Sequence, residues 1–396
     1  MSKPRLGYLV THPIQYQAPL LRKLSQSGDV ELSVFFLSDM STKAYFDPGF
    51  GAPVDWQTDL LSGYKSHMLR PDSPRLSFWE PPAPKVGKAL RESGIECLWV
   101  HGYAQVGLIR GLVEAKLSGL KILFRGEGNK HLQPANPVRR KAKAAVLKRL
   151  ASNVDAFLAI GSLNREYYMS LGVDASRIFD VPYAVDNEYF QRAASRASVD
   201  RGALRNDLGM TDARPVILFA SKLQPRKRVM DLVEAYIRLS RDGKSEPPAY
   251  LVIVGDGEQR SMVEQRVKET GWTSIKLTGF KSQDELPRYY DLCDVFVLPS
   301  EREPWGLVIN EVMNAGRAVV CTSQVGSAYD LVEHERNGYV YESGNVEQLS
   351  GHLSRLAGST QLCAEMGKRS LDRVSRWSYD EDMQGIVKAV HAVMDR

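Results

Sequence analysis

The chain has 396 residues, of which 43% are hydrophobic and 25% charged, with a formal net charge of +5. One hydrophobic core stops growing at roughly 250 to 300 residues, so this length predicts two domains. The composition is typical of a globular protein and excludes a disordered chain, a collagen-like repeat and a small disulfide scaffold.

Apolar runs alternate with helical patterns in the first half of the chain. The predicted strands are residues 6–10, 30–37, 97–101, 121–124, 156–160 and 178–181, and the helices are 18–24, 105–117 and 137–150. This alternation predicts a parallel sheet with helices on both faces. Residues 39–85 interrupt the pattern and are rich in Pro, Gly, Asp and aromatic residues. Such a long excursion either shapes an acceptor-binding surface or covers the core.

The alternation resumes after a polar stretch at residues 191–214, which we interpret as the connection between two domains. The predicted strands are 216–220, 250–254, 274–277, 295–298 and 318–321, and the helices include 230–239, 306–314 and 380–394. We therefore expect an N-terminal domain over 1–195 and a C-terminal domain over 210–377. Ligands of open α/β sheets bind at the carboxyl ends of the strands, so we expect the strand-end loops of both domains to face a cleft.

Cysteine use and hydropathy bear on the compartment. The four cysteines are far apart and have no CxxC spacing: Cys97, Cys293, Cys321 and Cys363. This pattern argues against a zinc site and a disulfide framework and suits a reducing compartment. No stretch approaches the roughly 20 apolar residues of a membrane-spanning helix, and the apolar run 7–10 is too short for a signal-peptide core. We expect a cytoplasmic protein, with contact at the inner face of the plasma membrane left open.

Charge is distributed unevenly along the chain. Residues 1–199 carry 26 basic and 18 acidic residues, whereas residues 200–396 carry 26 and 29. One source of the excess is the run 138-VRRKAKAAVLKR-149. The asymmetry indicates either an anionic partner or a solvated helix face.

The strongest chemical signal is 298-LPSEREPWGLVINEVMNAGRAVV-320, which combines a strand end, a charged loop and a helix. Gly306 permits close backbone approach at the helix start, where free N–H groups and the helix dipole favour an anion. Glu303 precedes this helix, and Glu311 lies about two turns into it. A carboxylate accepts hydrogen bonds from vicinal hydroxyls. The layout therefore suits a ligand with a diphosphate between two polyols.

This segment resembles the E-x7-E signature of the retaining glycosyltransferases of family 4, which have the GT-B fold of two Rossmann-like α/β domains facing a cleft. The resemblance implies that Glu303 contacts the donor sugar and that Glu311 binds the nucleotide ribose. It also implies that Trp305, Gly306 and Leu307 lie at the diphosphate or the sugar. In that fold the last helix, here within residues 378–396, crosses back to the first domain.

The segment 219-FASKLQPRKRVMDLVEAY-236 resembles the strand–GRLxxxKG–helix loop of the same family. Lys222 stands at the Arg position and Lys227 at the Lys position, which implies that both neutralise the donor diphosphate. Ser221 and Arg228 replace the two glycines of that pattern. A lysine keeps the charge of arginine but loses its bidentate fork.

Two weaker resemblances concern the rest of the donor pocket. The run 252-VIVGDGEQR-260 resembles the family turn IVGDG, which implies a donor contact at Gly255; a purely structural tight turn is the alternative. The run 277-LTGFK-281 resembles the loop that lines the base pocket. It implies that Gly279, Phe280 and Lys281 lie near the nucleobase.

The first predicted strand is followed by 11-THPIQYQAPLL-21, where many members of the family have a Gly-Gly turn. We expect His12, Gln15 and Tyr16 to contact donor or acceptor there. For His12, a turn residue bonded to backbone is the alternative.

Later strands of the N-terminal domain end in His101 and in Arg125, with Glu127 two residues on. Family members often carry His at the position of Arg125, so this residue departs from the pattern. We expect Arg125 to contact phosphate or a carboxylate, and Glu127 to orient the acceptor hydroxyl. An ion pair between Arg125 and Glu127 is the alternative.

The resemblance implies transfer of a hexose from a UDP- or GDP-linked sugar, with retention and by front-face attack. We find no convincing DxD metal site, so we expect no metal and no other cofactor. The acceptor is expected to be a saccharide, lipid-linked or part of a surface polysaccharide such as lipopolysaccharide, and nucleic acid is not expected. Two alternatives are a nucleotide-sugar epimerase or phosphorylase on the same fold and a non-catalytic binding module. No GxGxxG follows an early strand, which excludes a dehydrogenase.

Overall fold

A computed structural model describes residues 3–47, 49, 51–54, 59–71, 77–80, 86–240 and 246–395. Part of the excursion 39–85 therefore lies outside the described residues. The chain forms two compact units. Unit 1 consists of Met1–Tyr45, Asp55–Asp186 and Ser378–Arg396, and unit 2 of Phe46–Val54 and Asn187–Trp377.

The strands are, in chain order, β1 (Arg5–Val10), β2 (Glu31–Phe36), β3 (Tyr45–Asp47), β4 (Ala52–Val54), β5 (Lys65–Met68), β6 (Cys97–His101), β7 (Lys121–Arg125), β8 (Ala156–Ala159), β9 (Ile178–Asp180), β10 (Val216–Ala220), β11 (Tyr250–Val254), β12 (Ile275–Gly279), β13 (Val295–Leu298), β14 (Ala318–Thr322) and β15 (Gly338–Tyr341).

The α-helices are α1 (Ala18–Ser27), α2 (Val86–Glu92), α3 (Val106–Leu117), α4 (Pro137–Ala151), α5 (Ser162–Ser170), α6 (Asn187–Ala197), α7 (Arg201–Asp207), α8 (Val229–Ile237), α9 (Arg260–Thr270), α10 (Leu286–Leu292), α11 (Leu307–Asn314), α12 (Ala328–Leu331), α13 (Val346–Ala357), α14 (Thr360–Val374) and α15 (Tyr379–Met394).

Unit 1 is built on a seven-stranded sheet in the order β5-β2-β1-β6-β7-β8-β9. Every pair of neighbouring strands is parallel. The order reverses between β1 and β6, and such a reversal opens a crevice at the carboxyl ends of the strands. His12 follows β1 and His101 ends β6, so the fold puts these two predicted residues at the reversal.

The core of unit 1 lies on both faces of this sheet, as a parallel sheet requires. On one face α1 packs against β2 and α15 against β7, β8 and β9, and their buried side chains, among them Leu24, Ile386 and Val390, share one cluster with those of β1 and β6. The helix α15 begins with a capping box in which Ser378 and Glu381 satisfy each other's backbone groups. The predicted return of the last helix to the first domain is therefore confirmed.

Unit 2 is built on a six-stranded sheet in the order β12-β11-β10-β13-β14-β15, again parallel throughout. This order also reverses at its first strand, between β10 and β13. The loop after β10 carries Lys222 and Lys227, and the loop after β13 carries Glu303. Two segments that lie 76 residues apart in sequence thus meet at one crevice.

The polar stretch 191–214 is not a plain connection. It contains most of α6 and all of α7, and both belong to unit 2. Gln191 Nε2 donates to Asn314 Oδ1 at 2.8 Å, and Phe190 is buried. The boundary between the two units lies at Asp186–Asn187, earlier than predicted. A few buried side chains are enough to pack the polar helix α6 against unit 2.

The excursion 39–85 also contributes to the fold. Strand β5 extends the sheet of unit 1 beside β2. The short strands β3 and β4 form a separate two-stranded sheet, and Phe46–Val54 belongs to unit 2. Within the described ranges, no helix combines the length and the apolarity needed to cross a bilayer.

Candidate active site

The loops after β10 and β13 are joined by a buried ion pair. Lys227 Nζ donates to Glu303 Oε2, and the two residues are 7% and 9% exposed. Arg226 Nη1 lies 3.5 Å from the same oxygen. Burial lowers the pKa of Lys227, and the Glu303 carboxylate acts in the opposite direction. The crevice thus holds a cation and a carboxylate, both partly stripped of water.

The β10 loop contains one left-handed residue at a glycine position of the family pattern. Residues Pro225–Lys227 form a 3₁₀ turn, and Arg228 follows with φ 51° before α8 begins. The Arg228 guanidinium bonds Asp231 at 2.6 and 3.2 Å and Glu301 at 3.4 Å. These contacts offset the strain of a left-handed conformation in a residue that has a Cβ.

The loop before α11 requires glycine at Gly306, which has φ 93°. A Cβ there would lie 3.1 Å from Leu298 Cδ2 and 3.2 Å from Val325 Cγ1. A helix leaves its first N–H groups without a partner in a preceding turn, and at the start of α11 one of them, Ile309 N, donates to Gly306 O at 2.9 Å. The start of α11 is therefore a place where backbone donors are available to an anion.

A second loop, after β14, fixes the loop that carries Glu303. Gly326 N donates to Glu303 O at 3.1 Å, and Ser327 N donates to Trp305 O at 3.0 Å. A Cβ at Gly326 would lie 2.0 Å from Pro304 O, so only glycine fits. Sequence reasoning missed both residues, because a Gly-Ser pair after a strand carries no chemical signal of its own.

The side chain of Trp305 lies inside unit 2. It is 3% exposed, its Nε1 donates to Asn310 Oδ1 at 2.9 Å, and its ring stacks on Trp377 at 5.9 Å. The predicted donor contact at Trp305 therefore cannot come from the indole. The residue instead anchors the start of α11.

A pocket of about 130 Å³ opens at the carboxyl ends of β10 and β11, beside α11. It is lined by Ala220, Ser221, Val254, Gly255, Phe280, Lys281, Leu286, Tyr290, Val308 and Glu311. Four predicted donor residues are thus brought together in one wall: Gly255, Phe280, Lys281 and Glu311. Gly279, with φ 71°, ends β12 next to this wall.

Glu311 faces a tyrosine that sequence reasoning missed. Tyr290 Oη donates to Glu311 Oε2 at 2.6 Å. Burial raises the pKa of Glu311 to about 7, and the tyrosine hydrogen bond only partly offsets it. Burial also raises the pKa of Tyr290, so its hydroxyl remains a donor at neutral pH. The carboxyl group is therefore poised to change charge near neutrality.

Gly255 is required by packing as well as by the pocket. Its φ is 136°, and a Cβ would lie 1.9 Å from Ser221 O. Gly255 N donates to Gly279 O at 2.8 Å, and Ser221 N donates to Val254 O at 3.1 Å. Only a glycine allows the ends of β10 and β11 to approach this closely.

Lys222 follows β10, and its ammonium is paired with a carboxylate from a distant segment. Lys222 Nζ donates to both Oδ1 and Oδ2 of Asp47, each at 2.8 Å. Asp47 belongs to the excursion 39–85 and is a further residue that sequence reasoning missed. Its separation of 175 residues from Lys222 left no local pattern to find.

In unit 1, His12 and Tyr16 lie just beyond β1, and Gln15 between them is partly buried. Thr11 Oγ1 lies 2.8 Å from His12 Nδ1, and burial lowers the pKa of His12 to about 4. Tyr16 O accepts from Tyr379 Oη at 2.7 Å. His12 is thus a neutral ring at this edge of the sheet.

His101 and Glu127 are linked through Tyr183, which sequence reasoning missed. Tyr183 Oη lies 3.1 Å from His101 Nε2 and donates to Glu127 Oε1 at 2.6 Å. Burial, with a smaller contribution from Arg125, lowers the pKa of His101 to about 3. Tyr183 thereby holds the Glu127 carboxylate at the carboxyl end of the sheet.

Arg125 forms an ion pair, but not with Glu127. Its guanidinium is 1% exposed and donates through Nη2 to Asp382 Oδ2 and to Val181 O, each at 2.9 Å. A side chain this deeply enclosed cannot reach a phosphate or a substrate carboxylate. Both expectations for Arg125, the substrate contact and the Glu127 pair, are therefore wrong: it ties α15 to the sheet.

A known protein family matches the chain within unit 2. Residues 200–373 match the family model described as glycosyl transferases group 1. A GDP-mannose-dependent alpha-(1-6)-phosphatidylinositol monomannoside mannosyltransferase of Mycobacterium tuberculosis is 28% identical over 316 residues, which covers 76% of this chain and 77% of that protein. The alpha-D-kanosaminyltransferase of Streptomyces kanamyceticus is 28% identical over 197 residues, which covers 50% of this chain and 49% of that one.

Solved structures resemble the chain over its whole length. HepE of Anabaena in complex with UDP has a TM-score of 0.73 at 18% identity, covering 98% of this chain and 100% of that one. Sucrose-phosphate synthase of Thermosynechococcus elongatus has a TM-score of 0.72 at 17% identity, covering 99% and 100%. Identities this low show the fold alone. The two parallel-sheet units and the group 1 domain in unit 2 together identify this protein as a glycosyltransferase with the GT-B fold.

Proposed function

We propose that this protein transfers a sugar from a UDP- or GDP-linked donor to a saccharide acceptor, with retention and without a metal ion. One observation carries the proposal. The pocket walled by Glu311, Phe280 and Lys281 adjoins a crevice that holds the Lys227–Glu303 pair. The pocket suits a nucleoside, the Lys227 ammonium suits a diphosphate, and the Glu303 carboxylate suits a sugar.

Each part of the donor has a matching partner in unit 2. The nucleobase packs against Phe280 and Lys281, and the ribose hydroxyls donate to the Glu311 carboxylate. The diphosphate meets Lys227 and the backbone donors at the start of α11. The sugar hydroxyls donate to Glu303. Both bases are candidates, because one relative is named as GDP-mannose-dependent and HepE was solved with UDP.

The chemistry proposed is electrostatic. The bond between the anomeric carbon and the phosphate oxygen breaks as the acceptor oxygen bonds the same face of that carbon. The leaving phosphate oxygen takes the acceptor proton. Lys227 and the α11 amides stabilise the charge that develops on the leaving diphosphate. Among the described residues no group of three or more His, Cys, Asp or Glu side chains could hold a metal ion. The lysine and the amides would supply the positive charge.

The acceptor is proposed to meet the strand ends of unit 1. Glu127, held by Tyr183, offers a carboxylate to an acceptor hydroxyl. His12, Gln15, Tyr16 and His101 lie at the same edge of the sheet. The neutral rings of the two histidines add hydrogen-bonding groups without adding charge.

The donor is tested first by thermal stabilisation. UDP, GDP, ADP, dTDP and their sugar conjugates are added to the full chain with and without chelator. A ligand that binds only the folded state raises the melting temperature. We expect one nucleotide, UDP or GDP, to stabilise the protein equally in both conditions, and Glu311→Ala to abolish the shift. Absence of a shift with every nucleotide, in a protein shown to be folded, would reject a preformed donor pocket.

Nucleotide affinity is expected to rise about tenfold between pH 6 and pH 8. Glu311 has a pKa of about 7 in the free protein, and its ionised form accepts more and stronger hydrogen bonds from ribose hydroxyls than its protonated form. If binding requires that form, the competent fraction rises about tenfold across this interval. The measurement is calorimetric titration at each pH. The nucleotide phosphate also titrates in this range, so Glu311→Gln is the control. The ratio of wild-type affinity to variant affinity should rise between pH 6 and pH 8. A constant ratio would contradict the role of Glu311.

A lipid-linked acceptor at an anionic membrane is supported by α4. This helix carries six basic and no acidic residues, and Val138 and Val146 are 73% and 67% exposed on it. Basic helices bind anionic bilayers through charge and apolar contact. We expect co-sedimentation with vesicles containing phosphatidylglycerol but not with pure phosphatidylcholine, and loss of binding in Arg139→Glu/Arg140→Glu. Failure of the wild type to sediment with the anionic vesicles would argue for a soluble acceptor, and equal binding by the variant would mean that α4 is not the contact.

A further inference from the structure

Lys222, one of the two lysines that the family resemblance places at the donor diphosphate, is already paired with a carboxylate of the same unit. Its Nζ lies 2.8 Å from each carboxylate oxygen of Asp47. The side chains of Lys222 and Asp47 are 29% and 13% exposed. The pair is therefore partly desolvated, and its attraction exceeds that of an exposed pair.

Gly49, two residues after Asp47, lies against the same lysine. Gly49 N donates to Asp47 Oδ1 at 2.7 Å, which orients the carboxylate. A Cβ at Gly49 would lie 2.9 Å from both Cδ and Nζ of Lys222, so the backbone of this residue contacts the lysine stem. The contact is thus built by a turn and is more specific than a chance meeting of two long side chains.

The two lysines of the β10 loop share one arrangement. Lys222 is paired with Asp47, and Lys227 is paired with Glu303. A phosphate and a carboxylate make the same charge-assisted hydrogen bonds to an ammonium group. Two anions on one ammonium repel each other at close range. A diphosphate that approaches Lys222 must therefore compete with Asp47 for it.

We infer that Asp47 is an internal competitor of the donor diphosphate, holding Lys222 in the free protein and releasing it when the nucleotide binds. This inference rests on the proposed function, because it takes the anion at Lys222 to be the donor. The state with Lys222 released is then a minor one in the free protein. The apparent affinity for nucleotide is then the intrinsic affinity multiplied by the fraction of protein in that state.

Calorimetric titration of the full chain with UDP and with GDP tests this. Asp47→Asn removes the competing charge and keeps the shape of the side chain. We therefore expect the nucleotide that the wild type binds, UDP or GDP, to bind the variant about tenfold more tightly. Glu301→Gln is the matched control, because Glu301 is an exposed carboxylate on the neighbouring loop that contacts Arg228 at 3.4 Å. It loses the same charge and should change affinity by less than twofold. In a Lys222→Met background, Asp47→Asn should bring no gain.

Hydrogen exchange gives a second readout. In wild type, bound nucleotide should speed exchange of the Gly49 amide, because its acceptor Asp47 moves away. Unchanged or weaker binding by Asp47→Asn, with wild type still binding, would overturn the inference and leave the donor site intact. An equal gain in Glu301→Gln would also overturn it, as a general charge effect. If neither wild type nor Asp47→Asn binds either nucleotide, the proposed donor site fails and the inference fails with it.

Discussion

Replacing Lys227 with methionine is expected to lower kcat/KM for sugar transfer by roughly a hundred- to a thousandfold, which is typical for loss of one preorganised charge-stabilising group. Lys227 is 7% exposed, so its charge acts on the leaving diphosphate with little screening by water. The same change leaves Glu303 without its closest cation. Transition-state stabilisation and the position of the sugar-binding carboxylate are therefore both impaired. The measurement is initial-rate kinetics with the donor identified by thermal stabilisation.

Arg226→Met is the matched control for this result. Arg226 lies on the same turn and contacts the same Glu303 oxygen at 3.5 Å, but its side chain is 43% exposed. An exposed charge at this distance is worth little, so the control should lose less than tenfold. Equal losses in both variants would mean that the loop acts through its overall charge. Retention of a tenth or more of wild-type activity by Lys227→Met would contradict its role at the leaving group. Thermal melts of both variants exclude unfolding as the cause.

The donor side could be predicted from sequence largely because its signals are local. In a parallel sheet the residues that follow each strand lie at one edge, so reading strand ends in order already groups Lys227, Gly255 and Phe280. The spacing of Glu303 and Glu311 follows from helix geometry alone. Unit 2 shows these residues around one crevice and pocket. Their proposed roles in binding and transfer remain predictions.

What sequence reasoning missed is held by contacts between distant segments. Asp47 meets Lys222 across 175 residues, and Tyr290 meets Glu311 across 21. Neither Asp47 nor Tyr290 lies in a motif quoted above. A sequence pattern does not say which distant side chains the tertiary fold brings together. The position of the Trp305 side chain was not predictable for another reason. The residue stands inside the motif, but its large apolar ring is buried where a ligand cannot reach it.

Removal of the Arg125 side chain should reduce stability, although a contact with phosphate or a carboxylate was predicted for this residue from the sequence. Arg125→Met leaves Asp382 buried without its cation, and breaking such a pair costs about 3–5 kcal/mol in the free energy of unfolding. Burial raises the pKa of Asp382 above its usual value, and the nearby Arg125 guanidinium offsets only part of this rise. In the variant this pKa rises further above its unfolded value. Stability is then greatest at acid pH and is lost as the pH rises through the folded pKa. Urea denaturation at pH 5 and pH 8 measures both effects.

Two further variants separate an internal ion pair from a catalytic role. Arg165→Met removes a half-buried arginine of the same unit that lies 3.5 Å from the exposed carboxylate of Asp180, and it should cost less than about 1 kcal/mol. Arg125→Met combined with Asp382→Leu removes both charges together and should recover most of the lost stability, because no unpaired charge remains buried. Nucleotide affinity should be unchanged in all three, since the proposed donor pocket lies in unit 2. If the Arg125→Met protein folds with near wild-type stability but has lost transfer activity, the purely structural role is contradicted and Arg125 takes part in the reaction.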